Sequence, residues 1–276
     1  MKKTLIALAV AVSAASGAAH AWTTGDFNGS FDINGTITSE QYNDKWEWMT
    51  GDGLSFENTT KQMSDGNTKL TITQEKAAPI LLGRTKEAFV APSVGVGAIP
   101  LISFSDYEGK TVELISGDEE NKGFFNLPMK DTEGQKLGNV KVNVTAAGIL
   151  SRNDADYVRI ISLASKSNSD IYNGGLVSSV TSYGQKASNI MSKFGNSNHT
   201  ALLQQIIAAQ PEASGKGQMN WTASQTTNMV NDEGNVMASS YALGIDQGQM
   251  IEATFDAPVV KATQWAAPLN VAVTYN

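Results

Sequence analysis

Apolar and polar positions alternate strictly at two places far apart in the chain. From 27 to 37 every second residue is apolar or glycine, namely Phe27, Gly29, Phe31, Ile33, Gly35 and Ile37. Asn28, Ser30, Asp32, Asn34 and Thr36 separate them. Leu269, Val271, Val273 and Tyr275 repeat the pattern just before Asn276. Successive side chains of a strand point to opposite faces, so each segment predicts a strand with one greasy and one wet face. A strand in its own sheet and a strand lent to a neighbouring copy use the same alternation, so the leading segment fits either role. Burying Phe27, Phe31, Ile33 and Ile37 is worth roughly 6–12 kcal/mol as an upper bound. Gly29 and Gly35 suit close approach of the backbone to a crowded groove. The closing segment reads either as a plain edge strand or as a strand held by a strand-donating assembly factor, with the carboxylate of Asn276 on a basic group.

Between these ends the pattern predicts many short strands. Lys45 to Met49 alternates with Trp46 and Trp48 on one face. Leu70 with Ile72, Pro79 to Leu82, Ile99 to Phe104, Val112 to Ile115, Phe124 to Met129 and Val140 to Val144 follow, with turns such as Asp65-Gly66-Asn67 and Thr132-Glu133-Gly134 between. This spacing argues for an all-β sandwich rather than a parallel α/β sheet. From about 151 to 235 the strong β-branched runs give way to Ser, Asn, Gln and Ala. Ala187, Ile190, Met191 and Phe194 fall at helical spacing and stop at Gly195; Leu202, Leu203, Ile206 and Ile207 mark a second helix from Asn198 or Thr200 to Gln210-Pro211. The segment therefore reads as an insertion with two short helices, which need the sandwich to pack on. Strand signals return at Met237 to Leu243 and Met250 to Phe255.

The first 21 residues change the cellular context. Lys2 and Lys3 precede the apolar run Leu5 to Val12, and Ala19-His20-Ala21 offers a small-x-small cleavage site. That is the pattern of a cleaved secretory signal, residues 1–21, and the run is too short to span a bilayer. The expected product is exported. The chain carries a formal charge of −7, and loss of Lys2 and Lys3 makes it more acidic still. An acidic chain without a basic run is a poor partner for nucleic acid. With no Cys, and only His199 left after cleavage, thiol chemistry and Cys or multi-His metal sites are excluded.

Catalytic signals are thin: His199 fits helix-start chemistry, and Asp154 and Asp156 lack a complete oxygen-ligand spacing. The sequence predicts no enzyme, cofactor or metal. A glycan-active enzyme lacks a carboxylate pair to carry it. Trp46 and Trp48 fit a sandwich core better than a sugar platform. Tyr172, Tyr183 and Trp221 lie in the polar insertion, where loops on a rigid scaffold commonly bind ligands, and are the candidate glycan contacts, although aromatics that simply cover the insertion's helices fit the pattern somewhat better.

Longer runs carry a family signal. Trp22 to Ser30, Lys45-Trp46-Glu47-Trp48, Lys69 to Thr73, Pro79 to Phe89, Asp106 to Gly109, Tyr241 to Ile245 and Ala267 to Val273 together resemble the FaeG and ClpG type of fimbrial major subunit, an adhesin of the bacterial chaperone–usher pathway. The resemblance is weakest between about 150 and 235. It implies an incomplete immunoglobulin-like β-sandwich completed by a donor strand, with residues 39–150 and 236–276 as the sandwich and 151–235 as an inserted receptor-binding subdomain. Residues 22–38 become the donor extension, with Phe27, Phe31, Ile33 and Ile37 filling the groove of the next subunit. Leu269, Val271, Val273, Tyr275 and Asn276 form the strand that a periplasmic chaperone grips. The partners it implies are identical subunits, that chaperone, an outer-membrane usher and host glycoconjugates, in a fimbrium on the cell surface. A purely structural surface subunit, with adhesion carried by another protein, is the alternative.

Overall fold

A computed structural model describes residues 42–90, 98–225, 229 and 235–275. The donor-strand residues Phe27, Phe31, Ile33 and Ile37, the leader and Asn276 lie outside the described residues. In chain order the elements are β1 (Trp46–Thr50), β2 (Met63–Ser64), β3 (Lys69–Thr73), β4 (Ala78–Thr85), β5 (Pro100–Ser105), β6 (Thr111–Val112), β7 (Ile115–Ser116), β8 (Lys122–Lys130), β9 (Lys136–Asn153), β10 (Tyr157–Ala164), α1 (Gly184–Lys193), α2 (His199–Ala209), β11 (Gly217–Gln225), β12 (Met237–Ile245), β13 (Met250–Phe255) and β14 (Asn270–Tyr275). They form an all-β sandwich with a small helical insert.

Strand β9 organises the larger sheet. Its first half lies between β8 and β13, and its second half between β12 and β10. Beyond β12 the order runs through β4 to β1; beyond β13 it runs through β3 to β2. A separate three-stranded sheet has the order β14-β5-β6. Its Phe104 meets Phe125 of β8 edge-on, with ring centroids 4.8 Å apart, so aromatic packing joins the two layers.

Period-two alternation divides the interior into two cores. Along β12, Met237, Tyr241 and Leu243 enter the sandwich core, whereas Ala238 and Ala242 face a second core with Ile149, Met191, Leu202 and Ile206. The small side chains on that second face let the helices lie close. Helix α1 rests against β9, β10, β11 and β12, and α2 against β9 and β12. Because both faces are covered, every residue of β12 is buried.

The helices form where their spacing predicts. The Asn198 side chain caps α2 by accepting the Thr200 and Ala201 N–H groups at 3.1 and 3.2 Å. Helix α1 runs into Phe194 and then Gly195, whose φ of +75° glycine adopts without strain. Two details depart from the sequence pattern. The inserted segment also contains β10 and β11, which extend the main sheet beside β9. The run Val112 to Ile115 is not one strand: β6 pairs with β5, β7 pairs with β8, and the chain changes sheets between them.

The C-terminal end of α1 is anchored by charge. Lys193 Nζ donates to Asp246 Oδ2 at 2.6 Å, and Lys122 Nζ stands 3.7 Å from the same oxygen. Burial works to raise the Asp246 carboxyl, but the Lys193 bond and charge, the Gln247 N–H and Lys122 outweigh it and hold the group below its ordinary 3.8. A depressed carboxyl stabilises the fold above its unfolded value and loses that contribution as pH falls through the folded value. Asp246→Ala is thus expected to cost about 1 kcal/mol at neutral pH. Denaturant unfolding at pH 7 and below pH 3.8 checks this, because the difference between the two proteins should shrink in acid.

Candidate functional site

The sandwich is open along one side. Residues 50–60, which continue from β1, form one wall of a groove of about 1450 Å³, and residues 259–271, which lead into β14, form the other. Its floor is core: Leu70, Leu127, Val140, Ile251 and Phe255 are all buried side chains that also line the groove. Its rim is mixed, with Asp52, Glu57, Asn58, Lys261 and Gln264 beside apolar Leu54 and Val260. Leu54 is 43 % exposed and Val260 84 % exposed, the highest among the large apolar side chains described.

Both bordering strands are edges. Among the described residues, strand β14 pairs only with β5, and β1 pairs only with β4. Along β14, Val271, Val273 and Tyr275 turn toward the sandwich core yet are only half-buried, whereas Asn270, Ala272 and Thr274 are exposed. The predicted alternation of the closing segment is therefore the observed one, and Leu269 is likewise half-buried against the core. A strand edge leaves N–H and C=O groups without sheet partners, and here it borders an apolar slot.

An aromatic cluster stands at one end of the groove. The Trp46 and Trp48 rings are stacked with centroids 6.4 Å apart, and Trp48 lies edge-on to Tyr172 at 6.1 Å. Gly83, opposite Trp48, makes room for the indole: a Cβ there would sit 2.2 Å from Trp48 Cζ3. Trp48 Nε1 donates to Tyr275 Oη at 2.7 Å, linking the two sheets.

The three candidate glycan contacts separate. Tyr172 is 0 % exposed, adopts φ +62°, and bonds Ser239 Oγ at 2.8 Å through its hydroxyl; burial pushes that phenol far up. Its ring packs on Trp46, Trp48 and Tyr241, so it is a core residue and is withdrawn as a sugar contact. Tyr183 (54 % exposed) and Trp221 (39 % exposed) stay at the surface. Tyr183 precedes α1, Trp221 lies on β11, and the Gln185 N–H donates to Asn220 Oδ1 at 2.7 Å, joining the two elements. The Arg159 guanidinium lies over the Trp221 ring at 3.9 Å and leaves the rest of the ring at the surface.

Other polar groups of the insert are engaged structurally. Asp154 is taken by Arg152, at 2.8 Å, and by Arg159. The buried Ser188 hydroxyl accepts the His199 N–H and lies 2.9 Å from His199 Nδ1, joining α1 to α2. Among the described residues no three metal-ligating side chains gather, and no helix is long and apolar enough to cross a membrane.

Among the described residues, the groove lies between β1 and β14, and each of these strands has one strand neighbour. Comparison with known proteins supplies the class: the family described as fimbrial major and minor subunits matches residues 1–276. The chain belongs to that family. It is 49 % identical to K88 fimbrial protein AD and 49 % identical to K88 fimbrial protein AC, both of Escherichia coli, over the full length of each chain. F41 fimbrial protein of Escherichia coli is 26 % identical, again over both full lengths. As a fimbrial subunit it is a structural, non-enzymatic protein that assembles with other subunits into a fibre at the cell surface.

Sequence reasoning located β14 but not the groove, because the slot is assembled from residues 50–60 and 259–271, which carry no periodic signal. The buried Tyr172 was equally hidden: only its tertiary contacts distinguish it from a surface tyrosine. Tyr172→Phe should lower the unfolding free energy by about 1 kcal/mol through loss of the Ser239 bond. Trp221→Ala should change it far less; thermal and denaturant unfolding of both variants measures the contrast.

Proposed function

We propose that this fimbrial subunit polymerises by donor-strand exchange: residues 22–38 of one copy enter the groove of the next, with Phe27, Phe31, Ile33 and Ile37 directed at its floor. The observation that carries the reading is the groove between β14 and β1, each with a strand neighbour on one side among the described residues. An incoming strand pairs with the outer edge of β14 and covers apolar side chains of the groove walls, Leu54, Val260 and Val271 among them, so one event removes both costs. Glycines at 29 and 35 fit a backbone that must approach the walls closely. Before assembly, a periplasmic chaperone occupies the same edge, holding Leu269, Val271, Val273, Tyr275 and Asn276, and an outer-membrane usher then exchanges chaperone for neighbour.

The fimbria built this way adheres to host-cell glycans through the insert. Support for this half comes from Trp221 and Tyr183, two exposed aromatic rings on adjoining elements of the insert. Aromatic faces stack on the apolar faces of sugars.

Deleting residues 22–38 should yield a monomer that forms no fibres, read by electron microscopy and sedimentation. Fibres from the truncated chain would eliminate strand donation by this segment. On a glycan array, the intact protein should bind a discrete set of glycans, with Trp221→Ala weakening binding at least tenfold. Failure to bind any glycan would leave a purely structural subunit, with adhesion carried by another protein.

A further inference from the structure

The groove ends where an inter-sheet hydrogen bond begins. On β1 the lining starts at Thr50, and on the β14 side it stops at Val271; Trp48 and Tyr275 lie beyond both limits and are bonded to each other. From that bond β1 runs forward into one wall and β14 runs backward into the other. The two walls therefore diverge from a common tie, one half-buried phenol held by one indole N–H.

The indole itself has little freedom. Trp48 stacks on Trp46, meets Tyr172 edge-on and lies 6.3 Å from Tyr241, and it occupies the space left by the missing Cβ of Gly83. Its N–H is thus a fixed point on the larger sheet. Strand β14 has no such support from the sheet it belongs to: β5 lies on one side and nothing pairs with the other among the described residues. An edge strand with one neighbour can twist or slide, and either movement alters the width of a slot it borders.

We propose that the Trp48–Tyr275 hydrogen bond holds β14 at the distance from β1 that an incoming strand requires. Tyr275 is on this account a positioning residue for strand uptake, acting through β14 and not by touching the donor side chains. The inference rests on the donor-strand reading above. It assigns to the Tyr275 hydroxyl a role that the greasy face of β14 does not explain, since phenylalanine would bury an equivalent ring.

The test uses the full chain and a fluorescent synthetic peptide of residues 22–38, with association rate and Kd read by anisotropy. Tyr275→Phe and Trp48→Phe each remove the bond and should each slow association and raise the peptide Kd at least fivefold. Combined, they should do no worse than the weaker single variant. Tyr172→Phe is the control: it removes a buried tyrosine hydroxyl from the same cluster without touching the tie, so it should lower thermal stability but leave the Kd within twofold of wild type. A second readout is the Trp48 indole proton in ¹⁵N-tryptophan spectra, which should shift in Tyr275→Phe; an unshifted resonance denies the bond itself. Should Trp48→Phe fail to fold, Tyr275→Phe decides alone, because it keeps the ring. If wild type binds the peptide and Tyr275→Phe binds it equally, the tie has no positioning role. A control variant weakened as much as Tyr275→Phe would also overturn the proposal, by reducing the effect to general loss of packing. If wild type neither binds the peptide nor polymerises, it is the donor-strand reading that fails.

Discussion

Backbone hydrogen bonding constrains this fold more than any single side-chain contact. Strand β14 sends Val271, Val273 and Tyr275 toward the core, which commits it to the sandwich, yet among the described residues it finds a neighbour only in β5. Its first residues, Asn270 and Val271, border a slot whose floor is buried leucine, valine, isoleucine and phenylalanine. Water satisfies the backbone groups of that edge only by wetting the core, and an apolar occupant covers the core only if it also hydrogen-bonds. An extended chain with apolar residues at every second position meets both demands. The segment from 27 to 37 of this sequence has that composition.

The remaining architecture keeps the slot apart from the surface aromatics. Strands β9 and β12 have a core on each face: the sandwich interior, which opens into the groove, and the layer beneath α1 and α2. Ala238 and Ala242 are small enough for the helices to settle on the outer face, and the Asp246 carboxylate pins the end of α1 to the β12–β13 turn. Trp221 and Tyr183 are carried by that outer layer. Neither residue lines the slot, so under the proposed function a change of side chain there would bear on recognition and not on assembly.

Much of this was legible from local pattern. The alternation of Val271, Val273 and Tyr275 identified the last strand, helical spacing at Ala187, Met191 and Phe194 identified α1, and Asn198 announced its own cap on α2. The signals failed where tertiary context decides. Strand β10 is buried on both faces and has no alternation to display, and the polar composition of β11 conceals a strand paired in parallel with it. Tyr172 sits among Ser, Asn and Gly in the sequence but is pulled into the core by Trp46, Trp48 and Tyr241. The groove itself belongs to no local segment. It is formed by residues 50–60 and 259–271, brought together only by the tertiary fold.

Hydrogen exchange along β14 tests the account most directly. In the unassembled subunit, the amides of Asn270 to Tyr275 that point away from β5 should exchange rapidly, while those bonded to β5 are protected. In the assembled fibre the outward amides should become protected by several orders of magnitude. Equal exchange of the outward amides in subunit and fibre would contradict the claim that this edge is where a neighbouring chain completes the fold.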